Sequence, residues 1–330
     1  MTKPSPLPPH LATRPFTVEQ AREAGVTRSR TRASDLWTPS RGIRVHKNVP
    51  FDVLDACRPY TDSTVSAVVS HLTAATIHGL YLPRRLEGDR FLDLARPAGM
   101  GTPRRRRVRG HRMELGAADV LEVAGVPVTT VQRTFLDLAQ LLSLDELVAV
   151  GDQIVCEHRR SFGPPKVAMV ELDELNAYLA GHQGARSIRR LREAMGLVRV
   201  GSDSPPETRL RLLIVRAGLP LFVPNCELLD DEGNALVAPD LSCEEYRTCV
   251  EYDGDHHFTP EQHGKDHDRD FITASLGWRQ VLVNREDMRF GGRAAVTKVA
   301  RMLVQAGWPD PKNIAGTSLL GLLGTRKDVA

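Results

Sequence analysis

The sequence predicts a multidomain α/β protein, and three observations lead to this prediction. The chain has 330 residues, which exceeds the size at which one hydrophobic core usually continues to grow. Segments with apolar residues at helical spacing and short runs of β-branched residues both occur along the chain. The hydrophobic fraction of 41% and the charged fraction of 26% are those of a globular protein.

The pattern divides the chain into five segments. In chain order we expect a disordered, proline-rich N-terminus (1–13), a winged helix-turn-helix (14–58), a central α+β domain (59–200), a mixed sheet flanked by helices (201–308) and a flexible tail (309–330).

Composition argues against several classes of protein. The longest apolar runs are far too short to span a bilayer, and no apolar run of signal-peptide length begins the chain. We therefore expect a cytoplasmic protein without a membrane partner. The five cysteines lack any C-x-x-C spacing, which argues against a disulfide framework and against a structural zinc site.

The net charge of +3 hides a strong asymmetry. Residues 1–112 hold 20 Lys+Arg and 9 Asp+Glu, a net charge of +11, whereas the remainder carries −8. A basic N-terminal part predicts attraction to a polyanion such as nucleic acid. The acidic part is unsuited to phosphate binding unless bound cations offset its carboxylates.

The N-terminal pattern favours a winged helix-turn-helix. A capping box at Thr17 to Gln20 starts a helix that ends at Ala24. An arginine-rich second helix is predicted over 28–37, and a turn and short strand over 41–45. A solvated basic helix in another small helical domain fits the same spacing. The arginines expected to face DNA are Arg28, Arg30, Arg32, Arg41 and Arg44.

A second basic run lies in the middle of the chain. It precedes a predicted strand, and it is either an exposed loop or a phosphate clamp. Its members are Arg104, Arg105, Arg106 and Arg107. Helices are predicted around this part over 66–80, 131–142, 144–157, 172–180 and 184–197.

Three segments of this region together resemble a known family. They are Gly25-Val-Thr-Arg-Ser-Arg, Ser70-His-Leu-Thr-Ala-Ala-Thr-Ile-His-Gly and Pro127-Val-Thr-Thr-Val-Gln-Arg-Thr-Phe-Leu-Asp-Leu-Ala. Over about residues 14–160 the chain resembles the AbiEi-type antitoxin region of actinobacterial proteins. The resemblance implies a DNA-binding, self-regulating repressor and a cognate toxin as partner.

Carboxylates dominate the C-terminal pattern. Ser204 can cap a helix whose first turn carries Glu207. Strand candidates at 237–243 and 248–253 should form a hairpin. If Glu245 and Tyr246 are its two turn residues, Asp240 lies directly opposite Glu251.

Three carboxylates then share one small area of the sheet, because Asp253 points to the same face as Glu251. Like charges at such distances destabilise a sheet unless a cation compensates them. Mg²⁺ suits such oxygen ligands, and Mn²⁺ is an alternative. An acidic hairpin that faces solvent is the other interpretation.

The whole pattern resembles the PD-(D/E)XK nucleases. It comprises Glu207, Pro239-Asp240, Glu251-Tyr-Asp-Gly-Asp-His-His257, Asp268-Arg-Asp and Leu276-Gly-Trp-Arg-Gln-Val-Leu. Over about residues 203–290 it is closest to domains related to very-short-patch-repair endonucleases. The resemblance implies a restriction-endonuclease-like, four-stranded mixed sheet flanked by helices. It also implies metal ligands at Asp240, Glu251 and the Tyr252 carbonyl, with Glu207 assisting.

One position departs from that family. Asp253 stands where the family usually has a catalytic lysine, so the role of that lysine falls elsewhere or is lost. His257 is the candidate general base, because the related repair endonucleases place a histidine soon after this strand. His263 and His267 are spaced as ligands on a helix, but they lack a complete ligand set.

The sequence thus predicts a Mg²⁺-dependent endonuclease that acts on double-stranded DNA through an N-terminal binding module. A non-catalytic, antitoxin-like repressor with a decayed nuclease fold is the alternative, and RNA as substrate stays open. Helix-turn-helix proteins often bind DNA as homodimers, although no heptad pattern marks an interface in this chain.

Overall fold

The computed structural model describes residues 4–158, 165–254 and 269–316. It confirms the mixed α/β class. The chain divides into two compact units, Met1–Ser143 with Glu174–Leu191 and Leu144–Asp173 with Arg192–Ala330. Within the described ranges, no helix combines the length and the apolar character needed to cross a bilayer.

The helices and strands follow each other in this order. Up to residue 143 they are α1 (Pro9–Ala12), β1 (Phe16–Thr17), α2 (Val18–Glu23), β2 (Leu36–Trp37), β3 (Ile43–His46), α3 (Val53–Asp62), β4 (Val68–Val69), α4 (His71–Ile77), β5 (Leu92–Pro97), β6 (Val108–Met113), β7 (Val120–Val123), β8 (Val126–Thr129) and α5 (Val131–Leu138). From residue 144 they are α6 (Leu144–Val155), α7 (Leu172–Ala180), α8 (Ile188–Leu197), α9 (Pro205–Ala217), β9 (Val223–Pro224), β10 (Leu228–Leu229), β11 (Ala235–Val237), β12 (Leu241–Cys243), β13 (Thr248–Asp253), the helical residues 269–275 (α10), β14 (Arg279–Asn284) and α11 (Arg293–Gln305).

The first unit begins with a small three-stranded antiparallel sheet in the order β1-β3-β2. The predicted capping box is confirmed: the Thr17 hydroxyl accepts from the Gln20 amide at 3.0 Å, and the Gln20 side chain accepts from the Thr17 amide at 2.8 Å. Phe16, Ala21 and Leu36 are buried in the core of this part. The N-terminus is ordered from α1 onward, since Leu11 is buried in the same cluster.

The arginine-rich helix predicted over 28–37 is wrong. The structure has one 3₁₀ turn, Arg30–Arg32, followed by an extended Ala33 and strand β2. The physical reason is Arg30, whose guanidinium turns inward and donates to both carboxylate oxygens of Asp35 at 2.9 and 2.8 Å. This buried bidentate pair holds the chain in a tight turn that a regular helix would open.

A five-stranded mixed sheet in the order β6-β5-β4-β8-β7 forms the rest of the first unit. The single helix predicted over 66–80 is replaced by strand β4 and the shorter helix α4. Val68 and Val69 pair with β5, and Val69 also pairs with β8, because β-branched side chains fit a central strand. The strand-to-helix turn places His71 at φ = 48°.

The second unit is built on a four-stranded mixed sheet in the order β14-β13-β12-β9. The predicted hairpin register is confirmed, since Leu241 pairs with Val250 and Cys243 pairs with Thr248. Strand β14 lies parallel to β13. Helices α9 and α11 pack with this sheet around a core that includes Leu210, Val250 and Leu303.

The first strand of the hairpin is shorter than predicted. Val237 belongs to β11, which pairs with β10, and β12 begins at Leu241. Pro239 lies between them and has no amide hydrogen for a ladder bond. Asp240 therefore occupies the irregular position that immediately precedes β12.

Residues 309–316, predicted to belong to a flexible tail, have a defined conformation. The Asp310 carboxylate accepts from the amides of Ile314 and Ala315, both at 2.8 Å. Trp308, Ile314 and Ala315 pack against the sheet core. Residues 317–330 lie outside the described ranges.

Candidate functional site

Three carboxylates, Glu207, Asp240 and Glu251, form what we call the carboxylate site. Glu207 lies on the first turn of α9, Asp240 immediately precedes β12 and Glu251 lies in β13. A four-residue turn, 244–247, joins β12 to β13 in the register that pairs Leu241 with Val250. This register brings Asp240, which precedes β12, close to Glu251 and Tyr252 of β13. Asp240 contributes to raising the pKa values of both glutamates, so its charge acts on each of them.

Backbone contacts fix the position of Asp240 on both sides. Its Oδ2 accepts from the Tyr252 amide at 2.7 Å. Its carbonyl oxygen accepts from the Asn225 amide at 3.1 Å. One backbone amide thus holds the carboxylate of Asp240, and another holds its main-chain carbonyl.

Glu207 is held by the residues that cap its own helix. Its Oε1 accepts from the Ser204 hydroxyl at 2.7 Å, and its Oε2 accepts from the Asp203 amide at 2.8 Å. Ser204 is the N-cap of α9, with Pro205 in the first turn, as the sequence predicts. Glu207 is thereby buried beside the helix N-terminus, where a negative charge is favoured.

All three carboxyl groups of the site have raised pKa values. Burial, followed by the charge of Asp240, raises the pKa of Glu251 to about 8. Burial and Asp240 likewise raise the pKa of Glu207 to about 7. The pKa of Asp240 is also raised, chiefly by burial. A bound cation would favour the ionised form of all three carboxyl groups, because its positive charge would offset their mutual repulsion.

A protein cation, Arg269 of α10, contacts the site. Its Nη2 lies 2.8 Å from Glu251 Oε1. The same nitrogen donates its hydrogen bond to the Ala238 carbonyl at 2.7 Å. The guanidinium therefore offsets charge at Glu251 while it is also anchored to the backbone beside the site.

The donor set fits a hard divalent cation. Glu251 Oε1 is buried, and within the described ranges no donor forms a hydrogen bond with it. Carboxylate oxygens from two or three residues, with water completing the shell, are what Mg²⁺ and Mn²⁺ take as ligands. Asp240 and Glu251 would hold the ion, with Glu207 at its side.

The remaining residues that the sequence assigns to this site do not join the three carboxylates. Asp253 lies on the same strand as Glu251 but is exposed at its end, and Glu207 is the third acid that the fold brings to Asp240. Tyr252 contributes its amide to Asp240. His257, His263 and His267 lie outside the described residues.

Seven of the nine predicted DNA-binding arginines fall into two groups in the first unit. Arg30 is buried against Asp35, and Arg44 donates to the carbonyls of Thr31 and Ile43 at 2.6 and 2.9 Å. The side chains of Arg30 and Arg44 are therefore occupied by contacts within the fold. The arginines whose side chains are exposed are Arg28, Arg32, Arg41, Arg104 and Arg106.

The fold brings the two basic segments of the sequence together. Arg105 donates to the Arg41 carbonyl at 3.1 Å. The Arg107 guanidinium lies 4.9 Å from the centre of the Trp37 ring. The basic loop cluster, Arg41 with Arg104–Arg107, is therefore one surface that lies against the N-terminal sheet.

Sequence reasoning missed a polar cluster in the five-stranded sheet. Buried Asp93 accepts two hydrogen bonds from Arg109, at 2.9 and 3.1 Å, and contacts His111 Nε2 at 2.8 Å. The His111 ring stacks on buried His71 with centroids 3.7 Å apart. Both imidazoles line a cavity of about 670 Å³, together with Arg133 and Asp137. Their wide separation in sequence gave no signal of this convergence.

Comparisons of the chain with protein-family models, with curated proteins and with solved structures find no match.

Proposed function

We propose that this protein is a metal-dependent DNA endonuclease whose reaction takes place at the carboxylate site. The observation that carries the proposal is the convergence of Glu207, Asp240 and Glu251, with raised pKa values at all three. The resemblance to PD-(D/E)XK nucleases supports the same assignment.

The reaction is hydrolysis of one phosphodiester bond. A water oxygen forms a bond to phosphorus, one P–O ester bond breaks, and the leaving oxygen takes up a proton, which yields a phosphomonoester and an alcohol. A divalent cation at the site would supply charge stabilisation and an activated water. Asp240 and Glu251 would fix its position, and the buried Glu207 can accept the proton of the attacking water.

Arg269 is our candidate for the charge that the usual lysine provides. Asp253 occupies the position of that lysine in sequence, and it is acidic and exposed. Arg269 Nη2 instead reaches the site from α10, where it contacts Glu251. We assign it as a positioning residue that holds Glu251 and keeps positive charge beside the reacting phosphate.

DNA binding is assigned to the first unit. Its element order, α1-β1-α2, a 3₁₀ turn and then β2-β3, follows that of a winged helix-turn-helix with the second helix reduced to one turn. The basic loop cluster supplies side chains suited to phosphate contacts. Double-stranded DNA is the proposed ligand, and the resemblance to AbiEi-type antitoxins supports this choice.

A repressor without catalytic activity is the second candidate. Its support is the acidic Asp253 at the position of the usual lysine. This version binds an operator and a cognate toxin but turns over no substrate with any metal ion.

The deciding experiment is incubation of the purified full chain with supercoiled plasmid, single-stranded DNA and structured RNA in Mg²⁺, Mn²⁺ or EDTA. We expect nicking of the plasmid in either metal ion and none in EDTA. An Asp240→Ala/Glu251→Ala variant should match the EDTA control while retaining plasmid binding. Binding of DNA without cleavage of any substrate would favour the repressor.

The DNA interface carries a separate prediction. Arg104→Ala/Arg106→Ala should weaken duplex binding. It should also reduce the magnitude of the slope of log K against log salt concentration by about 2, since each lost phosphate contact reduces that magnitude by about 1. The control is Arg189→Ala/Arg192→Ala, which removes the same charge from exposed positions of α8. Equal slopes in both variants and in wild type, measured by fluorescence anisotropy, would contradict the assignment.

A further inference from the structure

A mixed set of metal-ligating side chains lies outside the carboxylate site, in the second unit. Cys156 follows the last residue of α6, His158 forms an isolated antiparallel bridge with Lys166, and Asp203 precedes the N-cap of α9. The thiol sulfur, an imidazole nitrogen and a carboxylate oxygen all lie within 4.8 Å of one another. Backbone bonds between His158 and Lys166, at 3.0 and 2.9 Å, hold this part of the cluster.

The distances match those of a tetrahedral ion. A Zn²⁺ ion with bonds of about 2.3 Å to sulfur and about 2.0 Å to nitrogen and oxygen separates sulfur from oxygen by about 3.5 Å and nitrogen from oxygen by about 3.3 Å. Cys156 Sγ lies 3.5 Å from Asp203 Oδ1. His158 Nδ1 lies 3.8 Å from the same oxygen. The first distance equals the tetrahedral value, the second exceeds it by about 0.5 Å, and all three ligand atoms lie within 4.8 Å of one another.

We propose that Cys156, His158 and Asp203 form a binding site for Zn²⁺ or a chemically similar transition-metal ion. Sulfur, imidazole and carboxylate ligands together select Zn²⁺ and Co²⁺ over Mg²⁺, which prefers oxygen alone. Cys156 is buried, whereas the Asp203 side chain is 32% exposed and leaves an open side for entry and for a water ligand. The absence of C-x-x-C spacing, which argued against structural zinc, does not bear on a site with one cysteine.

Lys166 is the internal competitor for the metal ion. Its Nζ lies 2.7 Å from Asp203 Oδ1, on the oxygen shared by both other distances. The ammonium and a divalent ion cannot contact this oxygen together at short range, because their charges repel. Metal binding therefore requires Lys166 to withdraw.

Asp203 also connects this cluster to the carboxylate site. Its amide donates to Glu207 Oε2 at 2.8 Å. An ion on the Asp203 side chain would act directly on the segment that orients Glu207, which gives Zn²⁺ a route to modulate the carboxylate site. The existence of the Cys156 site does not depend on the proposed nuclease function.

The test is titration of the metal-free full chain with Co²⁺ in a thiol-free reductant, followed by displacement with Zn²⁺. A thiolate-to-Co²⁺ charge-transfer band is expected in the wild type, because this band requires sulfur ligation. Cys156→Ser should remove the band. His158→Ala should weaken metal binding at least about 100-fold, since mutating even a residue that only hydrogen-bonds to a metal ligand lowers metal affinity about 10- to 100-fold. Lys166→Met should tighten binding about 2- to 5-fold, the worth of a partly exposed ion pair.

Two controls separate this site from others. Cys226→Ser alters an exposed thiol and should keep the band, and Asp240→Asn should keep it even if cleavage is lost. No band in the wild type, a band that survives Cys156→Ser, or weaker binding in Lys166→Met would overturn the proposal. Circular dichroism of each variant establishes that a lost band is not a lost fold.

Discussion

At a pH above the Glu251 pKa of about 8, where all three carboxylates are charged, the Asp240→Asn variant is expected to unfold in EDTA at a temperature about 2–4 °C above that of the wild type. The charge of Asp240, which immediately precedes β12, contributes to raising the pKa values of both Glu251 and Glu207. Opposed like charges on neighbouring strands cost about 1 kcal/mol, and this repulsion disappears with the carboxylate. Asparagine keeps an oxygen that can accept from the Tyr252 amide, so the backbone contact survives.

The same variant should lose stabilisation by metal ions. A ligand at 100 times its Kd stabilises the native state by about 2.7 kcal/mol. We expect Mg²⁺ or Mn²⁺ to raise the unfolding temperature of the wild type by several degrees and that of Asp240→Asn by less than one. Asp253→Asn, an exposed acid on the same strand, is the matched control and should behave as wild type in EDTA. A destabilised Asp240→Asn with an intact metal response would contradict our account of the site.

Much of the carboxylate site could be predicted because its geometry is local. The register of β12 and β13 follows from the short turn over 244–247, and this register brings Asp240 close to Glu251. The position of Glu207 follows from Ser204 and Pro205 at the start of α9. Both the strand register and the position of Glu207 were predictable because turns and helix caps depend on residues that are close in sequence.

Contacts between distant segments could not be predicted in the same way. Arg30 lies in a basic run that reads as exposed, yet Asp35 and the Ser5 carbonyl hold it in the interior. Arg269 reaches Glu251 from another element. The meeting of Cys156 with Asp203 spans 47 residues. Periodicity describes which face of an element is buried, but it does not say which other segment covers that face.

Asp152→Ala is expected to lower the free energy of unfolding of the second unit by about 3–5 kcal/mol. Asp152 is 1% exposed and joins α6 to α9. Its Oδ2 accepts from Arg211 and from the Thr208 hydroxyl, both at 2.7 Å, and its Oδ1 accepts from the Arg199 amide at 2.8 Å. Alanine would leave a buried guanidinium without its counter-charge, which is the costly way to break such a pair.

The matched control is an ion pair that links the same two helices at the surface. Arg216 of α9 pairs with Asp145 of α6, and both side chains are more than a third exposed. Asp145→Ala should therefore cost no more than about 1 kcal/mol in urea unfolding. Asp152→Leu/Arg211→Met should recover most of the loss, because both charges leave the interior together. Equal losses of unfolding free energy in Asp152→Ala and Asp145→Ala would show that burial does not govern the strength of these two pairs. The expected difference would identify the Asp152 network as the main polar link between α6 and α9, the helix that carries Glu207.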